Sequence, residues 1–124
     1  MPYNKSIVNS FIHAFEGIFY ALRDNQNLRI HFIVAFLVVF AGIFFGVNGF
    51  EMGIIGIMIL LVITAEMINT AIEEMVNLIV SEHRQQAKIA KDVAAGMVLV
   101  AVGGSVVAGI FIFAPYVINL FGLG

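Results

Sequence analysis

Residues 54–73 read IIGIMILLVITAEMINTAIE, an apolar run that ends among glutamate and asparagine side chains. The surrounding segment 52–80 is long enough to cross a bilayer as a helix, which requires about 20 mostly apolar residues. Its second half nevertheless carries Glu66, Asn69 and Glu73. A carboxylate inside a membrane helix costs about 2.5–3.5 kcal/mol on insertion scales and by default marks function. This segment therefore predicts a membrane span that carries a functional polar site.

Composition extends this interpretation to the whole chain. Of the 124 residues, 61% are hydrophobic and 11% are charged, whereas soluble domains have roughly 45–50% apolar and about 25% charged residues. We therefore expect an integral membrane protein made of one domain, residues 1–124. The chain is too short for a twelve-helix transporter, and its net charge of −2 gives no indication of nucleic-acid binding. The absence of cysteine excludes disulfides, thiolate metal sites and a cysteine nucleophile.

Two further apolar segments, 30–50 and 93–121, have the length of membrane spans. Pro115 is expected to kink or fray the far end of the second one. Three strands of this length cannot close a barrel and would leave unpaired edges in lipid, so helices are favoured. The predicted fold class is an all-α membrane protein with three transmembrane helices.

The N-terminal segment 3–28 has a different pattern. Its apolar residues recur at spacings of three and four, while Asn9, His13 and Glu16 lie on the opposite side. This pattern predicts an amphipathic helix at the membrane interface or a helix that packs on the spans, and the two alternatives are compatible. Residues 1–27 lack the continuous apolar core and the cleavage site of a signal peptide, so the mature chain is expected to begin near Met1.

The six basic residues are confined to two regions of the chain. They lie before the first span and between the second and third spans, at Lys5, Arg23, Arg29, Arg84, Lys88 and Lys91. Basic residues accumulate on the cytoplasmic side of membrane proteins. We therefore expect the N-terminus and the 81–92 loop in the cytoplasm and the C-terminus outside.

The polar residues of the second span lie on one face of the predicted helix. At helical periodicity, Glu66, Asn69, Glu73 and Asn77 form a stripe that runs towards the cytoplasmic end. A single membrane glutamate is often paired structurally, and asparagines often link helices by hydrogen bonds. The stripe as a whole indicates a site more strongly than any of its members does.

The 81–92 loop adds charges at the same end. If its last part is helical, Lys88, Lys91 and Asp92 share a face that leads into the third span. Carboxylates hold Mg²⁺ together with phosphate oxygens, and lysines neutralise phosphate, so these are the components that phosphoryl transfer requires. The lysines are equally compatible with a plain positive-inside pattern. The residues alone therefore indicate a cation-binding membrane site that faces the cytoplasm.

Three motifs carry a resemblance to a known family: EMINTAIE at 66–73, AKDVAAGMVL at 90–99 and NLRIH at 27–31. Together they are similar to the signature of the prokaryotic diacylglycerol kinase family, which includes undecaprenol kinases. The resemblance implies a multi-pass enzyme of the bacterial inner membrane that uses ATP and Mg²⁺ to phosphorylate the hydroxyl of diacylglycerol or undecaprenol. It also implies homotrimers of three-span protomers with an interfacial helix. Thr70 and the Ala-Ala-Gly run are more similar to the undecaprenol kinase branch.

The resemblance also implies roles for single residues. Glu66 is the expected general base for the lipid hydroxyl, Asn69 is expected to help form the catalytic site, and Glu73 is expected to bind the metal. The position of the family's second metal-binding glutamate falls on Asn25. Either Asp24 takes over from the adjacent position, or Asn25 ligates the metal through its neutral amide oxygen.

On the nucleotide side, the resemblance implies that Lys91 contacts the ATP phosphates, that Asp92 has a catalytic and nucleotide-binding role, and that Glu82 contacts the nucleoside. Lys88 shares the predicted charged face with Lys91 and is expected to bind the nucleotide as well. The alternative function is that of a non-enzymatic, cation-binding or channel-like membrane protein. It would be favoured by two asparagines that stand where the family has acidic residues, Asn25 for a glutamate and Asn77 for an aspartate. The kinase is favoured because Lys91 and Glu82 are present. The outer halves of the spans also lack the polar residues that a conduction path needs.

Overall fold

The computed structural model describes residues 6–123. Two predictions therefore lie outside the described residues: the cytoplasmic position of Lys5 and the start of the N-terminal helix at residue 3. The described chain forms four helices: α1 (Ile7–Asp24), α2 (Gln26–Phe45), α3 (Gly49–Ile79) and α4 (Gln85–Leu120). Helices α2, α3 and α4 are each long and apolar enough to cross a membrane. The predicted all-α class with three spans is therefore confirmed.

Side-chain caps set most of the helix boundaries. Ser6 accepts a hydrogen bond from the backbone of Asn9 at the start of α1, and Asn25 accepts one from the backbone of Leu28 at the start of α2. Asn48 and Glu51 form a capping box at the start of α3. Such caps satisfy backbone N–H groups that have no partner within the helix.

These caps correct several predicted boundaries. The N-terminal helix ends at Asp24 and not at residue 28, because Asn25 is extended (φ −112°, ψ 106°) and begins the next helix. Helix α2 therefore covers residues 26–45 in place of the predicted 30–50. Its C-cap is Gly46, whose φ of 67° suits glycine. Helix α3 starts at Gly49, three residues before the predicted 52.

Helix α4 differs from its prediction at both ends. It starts at Gln85, so only the first part of the 81–92 segment is a loop, and its last part is helical as the charge pattern required. At the far end Pro115 does not terminate the helix, which continues to Leu120. The predicted fraying after Pro115 was therefore wrong.

The packed core is small and lies between α3 and α4. It consists of Val62, Ala65, Val98 and Ala101. Many large apolar side chains on the three long helices are exposed instead, among them Phe36, Phe40, Leu99 and Phe111. An apolar surface of this extent belongs against lipid or against other protein.

Helix α1 contacts the rest of the molecule through its C-terminal end. Phe11, Phe15 and Phe19 are more than half exposed, whereas Ala21 is buried. Arg29 of α2 donates hydrogen bonds to the last carbonyls of α1, those of Leu22 (3.0 Å) and Arg23 (2.5 Å). The two alternatives for this helix thus apply to different parts of it: the aromatic face suits the membrane interface, and the C-terminal end packs on the bundle.

Candidate active site

The site is built around Glu66, a carboxylate in the middle of α3 that is only 3% exposed. Asn25 donates a hydrogen bond from Nδ2 to Glu66 Oε2 at 3.1 Å. His31 Nε2 of α2 lies 3.4 Å from Glu66 Oε1. The two carboxylate oxygens therefore face partners from outside α3, as a buried charge requires.

Asn25 performs two tasks through the two ends of its amide group. Its Oδ1 accepts the backbone N–H of Leu28 as the cap of α2, and its Nδ2 donates to Glu66 and, at 2.7 Å, to Thr70 Oγ1. The cap fixes the amide orientation, because a flipped amide would bring two donors together. Asn25 thus presents a donor to the site, which favours a positioning role over the ligating role that was one of the two predicted alternatives.

Asn69 and Glu73 lie one and two turns further along the same face of α3. Asn69 is 9% exposed, and its Nδ2 donates to Glu73 Oε1 at 3.4 Å. Its Oδ1 is buried and makes no hydrogen bond within residues 6–123. Asn69 Oδ1 is thus a buried oxygen that accepts no hydrogen bond, and it lies beside the exposed carboxylate of Glu73. Two such oxygen ligands fit a hard cation such as Mg²⁺, which needs few protein ligands when phosphate supplies others.

No group of three or more His, Cys, Asp or Glu side chains in residues 6–123 is arranged to hold a metal. Asp24, predicted as one of the alternative ligands, points elsewhere: it lies 3.3 Å from Arg23 Nε and its side chain is 44% exposed. Its hydrogen bond to Tyr20, together with the charge of Glu74, raises the pKa of the Tyr20 hydroxyl. The structure therefore does not bring Asp24 to Glu66 or Glu73.

The residues predicted for the nucleotide side line one polar cleft where α3 ends and α4 begins. The cleft has a volume of about 180 Å³, and its lining includes Glu82, His83, Arg84, Lys88, Lys91 and Asp92. Lys91 Nζ donates to Asn77 Oδ1 at 2.7 Å and thereby links α4 to the polar stripe of α3. Lys88 and Asp92 form an exposed ion pair at 2.6 Å. The two helices therefore meet here through Asn77, and not through a carboxylate, as the partner of Lys91.

Comparison with known proteins matches residues 12–113 to the family described as prokaryotic diacylglycerol kinase. This chain belongs to the prokaryotic diacylglycerol kinase family. It is 39% identical over 106 residues to an undecaprenol kinase of Bacillus subtilis, an alignment that covers 86% of each chain. It is also 33% identical over 116 residues to a diacylglycerol kinase of Synechocystis sp., covering 93% of this chain and 66% of the relative.

Family membership makes this protein a multi-pass membrane lipid kinase of a prokaryotic family that uses ATP. The predicted enzyme class is therefore confirmed, and the non-enzymatic alternative is wrong. The family relationship does not decide between diacylglycerol and undecaprenol as the acceptor.

The kinase also has an apolar groove on the other side of Glu66. The groove has a volume of about 250 Å³ and lies between α2, α3 and α4, where Val38, Ile59 and Val106 are among its lining residues. His31 lines the groove at the end nearest Glu66. Glu66 therefore lies between an apolar groove and the polar residues that lead to the cleft.

The contact between His31 and Glu66 could not be predicted from the sequence. Histidine 31 and Glu66 are far apart in the chain, and no local spacing connects them. The NLRIH motif that contains His31 was the available signal, but it supported only the family resemblance. The contact with Glu66 depends on how α2 packs against α3.

Proposed function

We propose that this kinase transfers the γ-phosphate of ATP to the hydroxyl of a membrane lipid alcohol beside Glu66, with undecaprenol as the preferred acceptor. The observation that carries the proposal is the position of this buried carboxylate between an apolar groove and a polar, lysine-containing cleft. The preference for undecaprenol is supported by the greater identity to the B. subtilis undecaprenol kinase, 39% against 33% for the diacylglycerol kinase.

The apolar groove is proposed to take the hydrocarbon part of the lipid. Apart from His31 and Ser105, its lining side chains are apolar. A lipid chain in this groove would bring its hydroxyl to the end that His31 occupies, next to Glu66. Glu66 then supplies the negative charge that draws the proton from the lipid hydroxyl, which is the role of the catalytic base in phosphoryl transfer.

The cleft at the start of α4 is proposed to take the nucleotide. Lys88 and Lys91 supply positive charge for the phosphates, and Glu82 lies on the same lining for the nucleoside. Asp92 accepts from Lys88 and can hold that ammonium group towards the cleft. Since phosphoryl transfer depends mainly on positioning and charge neutralisation, these residues provide what the protein must add.

Glu73 and the free Oδ1 of Asn69 are the residues that would hold Mg²⁺. When bound, the ion neutralises phosphate charge between the nucleotide and the acceptor. Asn69 therefore combines two proposed roles, as a ligand through Oδ1 and as a hydrogen-bond donor that orients Glu73 through Nδ2.

A substrate assay tests the proposal directly. The full-length protein in mixed micelles is given radiolabelled ATP, Mg²⁺ and either undecaprenol or diacylglycerol at equal mole fraction, and the extracted lipid is counted. We expect labelled lipid with both acceptors and a higher kcat/KM for undecaprenol. Label in neither lipid would refute the proposed function, and a higher kcat/KM for diacylglycerol would reverse the proposed preference.

The orientation in the bacterial inner membrane and the homotrimer belong to the same proposal. Every lysine and arginine within 6–123 lies in α1, in the first turn of α2, or between the end of α3 and the second turn of α4. This distribution supports a cytoplasmic N-terminus and 81–92 segment and an external C-terminus. A cysteine placed at Asn48 should react with an impermeant maleimide in intact cells, whereas one placed at Gln86 should react only after permeabilisation. The opposite pattern would invert the topology. Native mass spectrometry of the detergent-solubilised protein should give the mass of three chains.

A further inference from the structure

Asn25 is the single residue between α1 and α2, and both helices hold it. Its backbone is extended, and its backbone N–H donates to the carbonyl of Ala21 at 2.9 Å. Its Oδ1 accepts from the backbone N–H of Leu28, whose side chain is 0% exposed. Because Ala21 and Leu28 are both buried, the packing of the two helices determines where the Asn25 amide lies.

The other end of this amide reaches α3. Asn25 Nδ2 donates one hydrogen to Glu66 Oε2 at 3.1 Å and the other to Thr70 Oγ1 at 2.7 Å. Thr70 Oγ1 in turn donates to the backbone carbonyl of Glu66 at 3.0 Å. A primary amide has two hydrogens to donate, and both are used here. Asn25 therefore holds Glu66 directly through its carboxylate and indirectly, by way of Thr70, through its backbone.

The two oxygens of the Glu66 carboxylate consequently differ. Oε2 accepts from Asn25, whereas Oε1 accepts no hydrogen bond from any group within residues 6–123. Oε1 lies on the side of His31, 3.4 Å from its Nε2, and His31 lines the apolar groove. A hydrogen bond to a charged carboxylate is about twice as strong as one between neutral groups. The bond from Asn25 thus fixes the orientation of the carboxylate and leaves Oε1 for a hydroxyl that arrives along the groove.

An amide at this position acts differently from a carboxylate. At the 3.1 Å separation of Asn25 Nδ2 and Glu66 Oε2, a second carboxylate would repel Glu66 unless a cation lay between them. The amide instead stabilises the negative charge of Glu66, whose side chain is only 4% exposed. Asn25 therefore supplies the partner that the buried carboxylate requires, without a metal ion.

We propose that Asn25 is a positioning residue that holds the Glu66 carboxylate through Oε2, so that Oε1 takes the proton of the lipid hydroxyl, and that Asn25 does not ligate the metal. This inference rests on the proposed lipid-kinase function. In the transfer step the lipid O–H bond breaks and an O–H bond forms at Glu66 Oε1, while the lipid oxygen bonds to the γ-phosphorus. The bond between the γ-phosphorus and the bridging oxygen breaks, and ADP leaves with that electron pair. Glu66 later releases its proton to water.

The first test is Asn25→Ser in the full-length protein, assayed in mixed micelles with ATP, Mg²⁺ and undecaprenol or diacylglycerol. Serine is a good N-cap residue, so the start of α2 is kept while the donor to Glu66 is lost. We expect kcat to fall about 10-fold or more, which is the contribution of a hydrogen bond to a charged group. The KM for ATP should not change, because Asn25 is not among the residues that line the nucleotide cleft.

Asn25→Asp is the second test, because it keeps the shape of the side chain and the oxygen that caps α2. It replaces the donor by an oxygen that faces Glu66 Oε2 with a like charge. The loss of kcat should therefore be greater than in Asn25→Ser. A role restricted to capping predicts no loss in either variant, since serine and aspartate are both good caps.

Metal binding gives a measurement that does not depend on activity. Mn²⁺ binding to the full-length protein in detergent is titrated by electron paramagnetic resonance in the presence of a non-hydrolysable ATP analogue. Asn25→Ser should bind Mn²⁺ as tightly as the unmodified protein does, and Glu73→Gln provides the reference for a lost ligand. A several-fold weaker affinity in Asn25→Ser would identify Asn25 as a ligand and would overturn the proposal.

The same two substitutions at Asn48 are the matched control. Asn48 caps α3 as Asn25 caps α2, and its Oδ1 accepts from the backbone N–H of Glu51 at 2.8 Å. Its side chain makes no hydrogen bond to Glu66 or Thr70 within residues 6–123. Asn48→Ser and Asn48→Asp should therefore leave kcat unchanged. Losses equal to those at Asn25 would overturn the proposal, because they would follow from a weakened cap alone.

The remaining outcomes separate the inference from the function on which it rests. If the unmodified protein phosphorylates lipid and both Asn25 variants keep its kcat, the inference fails alone. It also fails alone if Asn25→Asp is more active than Asn25→Ser, with the folding of both variants checked by gel filtration in detergent. If the unmodified protein phosphorylates neither lipid, the proposed function and the inference fail together.

Discussion

Two glutamates on α3, Glu51 and Glu66, both have hydrogen-bond partners, but the partners differ in kind. Glu51 serves its own helix: its Oε1 accepts from the backbone of Asn48 at 3.1 Å in the capping box, and it accepts from the hydroxyl of Tyr116 at 2.5 Å. Glu66 faces Asn25 and His31, which come from the elbow between α1 and α2 and from the first turns of α2.

The difference separates a structural carboxylate from a functional one. The capping box joins Glu51 to the start of α3, and the bond from Tyr116 ties that start to α4, so a change at Glu51 acts on stability. The partners of Glu66 connect it instead to an apolar groove and, through the stripe, to a polar cleft. The surroundings of a membrane carboxylate, more than its mere presence, therefore indicate what it does.

The largest expected effect contrasts the two glutamates directly. Glu66→Gln keeps the shape of the side chain but removes the charge, and kcat should fall about 10²–10⁴-fold with ATP binding retained. Glu51→Gln should leave kcat nearly unchanged. Initial-rate assays on both variants at saturating ATP provide the comparison. Equal losses of kcat in the two variants would contradict the assignment of Glu51 as structural and Glu66 as functional.

A second prediction concerns the metal and uses two adjacent glutamates. Glu73→Gln removes a proposed ligand charge, so the Mg²⁺ concentration for half-maximal activity should rise about tenfold or more. Glu74→Gln is the control, because Glu74 faces Tyr20 and not Asn69. A Mg²⁺ titration of both variants at constant ATP decides the matter. If Glu74→Gln shifts the titration and Glu73→Gln does not, the proposed ligand is wrong.

A third prediction tests the structural end of the comparison. Tyr116→Phe removes the hydroxyl that donates to Glu51 and should lower the free energy of unfolding by about 1 kcal/mol, with kcat unchanged. Thermal unfolding in detergent, measured for this variant, for Glu51→Gln and for the double variant, gives the coupling between the two side chains. Strictly additive losses would contradict the interaction.

The smallest expected effect is that of Asp24→Asn. Asp24 accepts a hydrogen bond from Arg23 and makes no hydrogen bond to Glu73 within residues 6–123, so the Mg²⁺ dependence of activity should not change. The variant also weakens the Asp24 hydrogen bond that contributes most to the raised pKa of Tyr20 and removes one of the two charges that raise it further, so this pKa should move back towards its ordinary value. A several-fold rise in the Mg²⁺ requirement would restore Asp24 as a substitute ligand for the position now held by Asn25.

Most of the fold was predictable because membrane helices are determined locally. The apolar lengths of the three spans, the periodicity of α1 and the asparagines that cap α2 and α3 are properties of short segments. The polar stripe on α3 and the charged start of α4 were also visible, since helical spacing places these residues on common faces. Boundaries were less well predicted, because an apolar run does not reveal which of its residues is extended or has a positive φ.

The surroundings of Glu66 were decided only by the tertiary structure. Asn25 and Glu66 are 41 positions apart, and their contact depends on the elbow that Arg29 holds between α1 and α2. Helix α2 is apolar nearly all round, so its sequence does not distinguish the face that packs against α3 from the face that meets lipid. Sequence alone thus determined that a carboxylate lies in a membrane helix, whereas the packing of α2 decided that a histidine stands between that carboxylate and the groove.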